Sequence, residues 1–131
     1  MAGKIIADQI QSTAAGTVDT KYVVDGRKGF CNFNQGTSAI TDSLNTSSLT
    51  DTSAGKGVIN WTNAMGNANY TCTTGTATVS TSAYVVSLND DAAFVARTSS
   101  AWSFQTNYAN ASTSAIFDSN FSICAAYGDL A

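Results

Sequence analysis

The sequence predicts an all-β chain: a single antiparallel β-sandwich, jelly-roll-like, with an extended N-terminal arm. Three observations predict it. Runs of β-branched and aromatic residues recur roughly every ten residues between clusters of Gly, Asn, Asp and Ser, the spacing of a sandwich or barrel. Several runs alternate with the period of a pleated strand: Trp102, Phe104 and Thr106 share one side, and Phe121, Ile123 and Ala125 share another. The residues that support surface helices are scarce. With no Glu and only six Lys and Arg in 131 residues, a helix would lack its usual charged pairs.

Taken in order, strands are expected at residues 4–10, 21–24, 30–33, 58–61, 69–80, 84–88, 94–97, 101–108 and 120–127. The first carries Ile5, Ile6 and Ile10, and the second carries Tyr22, Val23 and Val24 ahead of Asp25-Gly26, a turn dipeptide. Between them lies a small, polar stretch. Residues 1–27 therefore read either as an extended docking arm or as first strands, and residues 28–131 as the sandwich domain. An extended arm leaves backbone groups unpaired and docks on a neighbour, which makes Ile5, Ile6, Ile10, Tyr22, Val23 and Val24 the candidate assembly interface. Residues 42–49 admit a turn of helix capped by Asp42, but their Ser and Thr favour loop. Asn89-Asp90-Asp91 lies between two expected strands and reads as a tight turn rather than a hard-cation site, because the twelve-residue calcium-loop pattern is absent.

Composition narrows the chemistry. The chain has no histidine, and its nine carboxylates are all Asp, while Ser, Thr and Asn supply about a third of its residues. Imidazole is the usual acid–base group near neutral pH. Serines abound, yet no histidine can activate one, and neither a Gly-x-Ser-x-Gly elbow nor a phosphate loop occurs. The expectation is a non-enzymatic protein with no catalytic residue, metal or cofactor. Six scattered cations and a net charge of −3 do not form the basic face that nucleic acid requires. The first ten residues hold one lysine and no long apolar run, so neither a secretory signal nor a membrane anchor is expected there. Without an export signal, the Asn-x-Ser/Thr sequons at Asn45, Asn60, Asn69, Asn110 and Asn120 read as chance occurrences. Cys31, Cys72 and Cys124 stand far apart among β-prone neighbours and read as small buried hydrophobes, one disulfide being the alternative. Trp61 and Trp102 read as core, with sugar stacking as the rival. Absent proline and scarce lysine leave sheet edges with few guards, so closure or other copies are expected to cover them.

Four segments carry a resemblance. The opening Ile6-Ala-Asp-Gln-Ile-Gln-Ser-Thr-Ala-Ala-Gly-Thr-Val-Asp-Thr-Lys-Tyr-Val-Val-Asp-Gly26 resembles that of small virion structural, tail-fibre-like proteins of tailed bacteriophages, common in cyanophages and other marine or freshwater phages. Phe30-Cys-Asn-Phe-Asn34 is similar to an aromatic strand of that group. Asp42-Ser-Leu-Asn-Thr-Ser-Ser-Leu-Thr-Asp51 resembles its serine-rich link, and Ala126-Tyr-Gly-Asp-Leu-Ala131 its ending. Residues 71–120 match only as a β-rich pattern, and the chain departs at Arg27-Lys28-Gly29, where smaller or apolar residues are usual. The resemblance implies a β-rich fold, many copies on a particle and no catalytic residues. The expected function is a multicopy tail fibre or appendage contributing to host attachment, with capsid decoration as the alternative and a bacterial surface adhesin behind it. The expected partners are further copies (a trimer), other virion proteins and a host surface glycan, with no nucleic acid and no membrane. The expected location is a virion assembled in the host bacterial cytoplasm.

Overall fold

A computed structural model describes residues 9–12, 16–19, 26–77, 85–90, 97–109 and 114–131. Among these residues there are eleven strands and no helix. β1 (Gln9–Ser12) and β2 (Gly16–Asp19) pair with each other as a hairpin. β3 (Arg27–Asn34), β4 (Ala39–Leu44), β7 (Thr71–Ala77) and β11 (Phe121–Tyr127) form a first sheet in the order β4-β3-β11-β7. β5 (Thr46–Ser53), β6 (Lys56–Trp61), β8 (Val85–Asp90), β9 (Ala101–Ala109) and β10 (Ser114–Ile116) form a second. β9 is its centre: Gln105 pairs with Lys56 on one side and Asn89 on the other, so β6 and β8 flank it, and β10 continues the β6 side. Every pairing is antiparallel.

The period-2 pattern turns one face of each sheet into a common core. Cys31 and Phe33 of β3 and Cys124 and Ala126 of β11 point inward from the first sheet. Ile59 and Trp61 of β6, Leu88 of β8 and Trp102 and Phe104 of β9 point inward from the second. The Phe33 and Phe104 rings meet at 5.1 Å, and the Phe104 and Trp102 rings at 5.5 Å. Both tryptophans are buried, and the three cysteines are free, Cys31 and Cys124 within the core. Gly29 is glycine for lack of room: a Cβ there would lie 2.9 Å from Cζ3 of Trp61.

Residues 42–49 are neither helix nor loop. They are the end of β4 and the start of β5, joined through Asn45 alone, where the chain leaves one sheet for the other. Asn45 takes φ 56°, a left-handed conformation that Asn tolerates. Its side chain clamps Asn63, accepting from the Asn63 N–H at 2.7 Å and donating to the Asn63 carbonyl at 3.0 Å. Asp42 accepts from the Ser43 amide at 2.8 Å instead of capping a helix. β5 and β6 are joined through Ala54 and Gly55, and Gly55 has φ +69°. Its N–H donates to Asp118 at 2.6 Å and its carbonyl accepts from the Thr106 N–H at 2.7 Å, tying this hairpin to the approach to β11. Asn89 and Asp90 are also not a turn: they close β8, held by pairing to Gln105 and Phe104.

Candidate interaction surface

The outer face of the first sheet is where the structure departs from an ordinary soluble surface. The residues that alternate with the core on β11 are Phe121, Ile123, Ala125 and Tyr127; Phe121 is 54% exposed, Ile123 38% and Tyr127 39%. The register sets Phe30 between Ala125 and Leu44, and Leu44 is 47% exposed. A bulge opposite Ala126 and Tyr127 skips Lys28 and pairs Tyr127 with Arg27, which brings the Arg27 guanidinium 4.2 Å above the Phe30 ring. Beyond β11 lie the small outward residues of β7: Thr73 opposite Ala125, Gly75 opposite Ile123 and Ala77 opposite Phe121. The Ile123 side chain lies across Gly75, its Cγ1 3.1 Å from where a Cβ would stand. Alternating ridges and troughs result. A groove of about 380 Å³ opens over Ala125, walled by Arg27, Phe30, Asn32, Asp42, Thr73 and Ile123. Scattered apolar residues are normal on a surface, but contiguous ones mark contact sites.

The outer face of the second sheet has a different chemistry. Several of its amides pair with neighbours: Asn60 donates to Ser48 at 2.9 Å, Gln105 to Asn107 at 2.6 Å and Asn89 to Ser87 at 2.9 Å. Most of the exposed large apolar side chains thus stand on the first sheet, among Arg27, Asn32 and Asp42, while the second sheet's outer face is richer in paired amides.

Asp90 and Arg97 form an ion pair at the edge where β7 approaches β8. Asp90 pairs with Arg97 and accepts from Trp102 Nε1, and Arg97 donates to the Tyr70 carbonyl and lies over the Tyr70 ring at 5.0 Å. Thr74 donates to the Leu88 carbonyl at 2.8 Å across the same seam. A cleft of about 240 Å³ opens there, lined by Cys72, Asn89, Asp90, Arg97 and Trp102 among others. Burial alone would raise the Asp90 carboxyl, but hydrogen bonds from Arg97 and Trp102 and the Arg97 charge outweigh it and lower its pKa. The hydrogen bond to Asp90 raises Arg97 in turn. Burial pushes the Tyr70 hydroxyl to about 12, the Cys31 thiol to about 11 and the Cys72 thiol to about 12, and raises Cys124 as well. Each of these shifts moves its group further from neutral pH, the reverse of what tuned acid–base groups require. The cluster is a latch between sheet edges, and Asp90 is committed to it.

A second polar cluster is buried between the sheets. Gln35 Oε1 accepts from the Thr106 hydroxyl at 2.7 Å and the Ser119 N–H at 3.0 Å, and Thr76 links the Ser119 and Ser122 hydroxyls at 2.9 Å each. The Ser119 hydroxyl also donates to the Ala77 and Phe121 carbonyls at 2.6 and 2.8 Å, so the cluster holds the approach to β11 in place.

Of the interface residues expected from sequence, Ile5, Ile6, Tyr22, Val23 and Val24 lie outside the described residues. Ile10 lies in β1, its backbone paired with Val18. The apolar surface that the structure does assemble, from Phe30, Leu44, Phe121, Ile123 and Tyr127, was signalled only by the β11 alternation. Alternation groups residues on a side without saying which side faces water. Comparison with protein-family models, curated proteins and solved structures finds no match.

Proposed function

We propose that this chain is a non-enzymatic, multicopy structural component of a bacteriophage virion, a jelly-roll-like β-sandwich with an N-terminal docking arm that assembles as a homotrimer. One observation carries the contact role: a grooved sheet face that gathers the exposed Leu44, Phe121, Ile123 and Tyr127 on a domain with little charge. The resemblance of the chain's two ends to small tailed-phage proteins supplies the particle. The mechanism is multivalent display, in which weak contacts become effective because many copies share one scaffold. The leading role is a tail fibre or appendage that contributes to host attachment, through hydroxyl- and amide-rich surface that suits a host glycan.

Capsid decoration is the second reading, favoured by the uneven placement of exposed apolar side chains: a domain that carries most of them on one sheet suits a plate seated on a shell. Mass spectrometry of gradient-purified particles tests the shared premise, which requires the chain in stoichiometric multicopy amounts. Purified protein that binds host cells supports the appendage. Protein that binds only particles lacking it supports decoration. Absence from particles overturns both.

A further inference from the structure

We infer that the outer face of the first sheet packs against the same face of a second copy, about a two-fold axis running along the strands between β3 and β11. The inference deepens the multicopy reading above and names the occupant of the apolar face.

The register carries it. Across the sheet the outward residues stand in rows: Leu44, Phe30, Ala125 and Thr73 in one, and Asp42, Asn32, Ile123 and Gly75 in the next. An axis along the strands between β3 and β11 reverses the strand order while keeping the rows. Each Phe30 then sits over the second copy's Ala125, the floor of the groove. Each Ile123 meets the second copy's Asn32. Leu44 lies over the small Thr73 and Asp42 over Gly75, while Arg27, stacked on its own Phe30, borders the Phe30–Ala125 contact. Two pairs set a large side chain on a small one, Phe30 on Ala125 and Leu44 on Thr73, and no like charges meet in these rows. Any other single partner would need its own matching ridges, whereas a two-fold supplies them from one surface.

Area sets the strength. Four strands about 4.8 Å apart, each with about seven residues rising about 3.3 Å, make a face of roughly 450 Å². A pair buries about 900 Å², below the roughly 1,200 Å² at which standard stable interfaces begin. Association is therefore reversible, with a dissociation constant of about 1 µM or weaker, and it needs the crowding of copies on a scaffold to be populated. A two-fold contact joins copies in pairs, so a threefold assembly uses another surface.

Sedimentation velocity of the full chain across a concentration series tests this. The wild type shifts reversibly from monomer toward dimer with increasing concentration. Ile123→Lys and Phe121→Ser weaken association at least about tenfold, with near-ultraviolet circular dichroism unchanged because both side chains point to solvent. The decisive variants are Leu44→Asp and Thr73→Lys. Each alone weakens dimerisation, and together in one chain they restore it, because the two-fold sets each against the other while β3 and β11 separate them within a chain. A wild type monomeric at every concentration, association indifferent to Ile123→Lys, or a double variant no better than the singles overturns the inference. Chain found in particles but monomeric in solution defeats this contact and spares the virion reading; dimers of a chain absent from particles do the reverse.

Discussion

The approach of Gly29 to Trp61 gives a stability effect whose sign is opposite to the usual one. Replacing a glycine in extended backbone with alanine normally stabilises by about 0.4–1 kcal/mol, because it restricts the unfolded chain. At position 29 the new methyl would lie 2.9 Å from Cζ3 and 3.2 Å from Cε3 of the Trp61 indole, which stands on the facing sheet. The indole cannot swing away freely: its Nε1 donates to the Tyr70 hydroxyl at 3.2 Å, and that hydroxyl donates to the Ala101 carbonyl at 2.8 Å. Overpacking of this kind costs ~1–3 kcal/mol. For a chain of this length that lowers the melting temperature by about 3–12 °C. Trp61→Phe removes the part of the indole nearest Gly29 and its hydrogen bond, at ~2–3 kcal/mol. If the two residues touch, the penalties do not add: Gly29→Ala in the Trp61→Phe background costs at least ~1 kcal/mol less than in the wild type. Urea unfolding followed by far-ultraviolet circular dichroism measures all four corners of the cycle without relying on tryptophan emission. A stabilised Gly29→Ala protein, or penalties that add within about 0.5 kcal/mol, would refute the packing of the two sheets described above.

Other consequences follow from the same geometry. Gly55→Ala forces a side chain into φ +69° with its Cβ 2.6 Å from the Phe117 nitrogen, and a loss of at least ~2 kcal/mol is expected by urea titration. With burial holding Cys72 at about 12 and Cys31 at about 11, the native thiols are almost wholly protonated at pH 8. A thiol-disulfide reagent should therefore label Cys72 at least about tenfold more slowly than a free thiol, the lower thiolate fraction outweighing its greater nucleophilicity, and label all three cysteines once the protein is unfolded. Because the folded Asp90 pKa is depressed, its contribution is present above the unfolded carboxyl value near about 4 and is lost as pH falls through the lower folded value. Asp90 is 45% exposed, so solvent screening keeps that contribution to at most ~1 kcal/mol, and Asp90→Asn should flatten the acid limb of the stability profile by that amount.

The sequence signalled β3, β6, β7, β8, β9 and β11, most plainly where propensity and burial agree. β3, β6, β9 and β11 each alternate large apolar and polar residues and sit centrally or beside the centre of their sheets. β4 and β5 were hidden because Ala39–Leu44 and Thr46–Ser53 are exposed almost throughout, and their Ser, Thr and Asp prefer turns locally. They are strands because β3 and β6 offer them hydrogen-bonding edges, a long-range cause that no local pattern carries. Asn89-Asp90 looked like a turn for the same reason and was overruled by pairing to β9. The latch was illegible because Asp90, Arg97, Trp102 and Tyr70 converge only when β7 and β8 come together. The apolar face was half legible: Phe121, Ile123 and Ala125 were grouped correctly, but Arg27 joined Phe30 only through the bulge that skips Lys28.

An electron-microscopy reconstruction of the assembled virion tests most directly whether this protein works through its first sheet. The account predicts many copies of the chain, with Phe30, Ile123 and Tyr127 of each covered by a neighbouring copy and the amide-rich face of β8 and β9 turned outward. Copies whose first-sheet face stands open to solvent while other surfaces make every contact would contradict it, as would a particle that holds none.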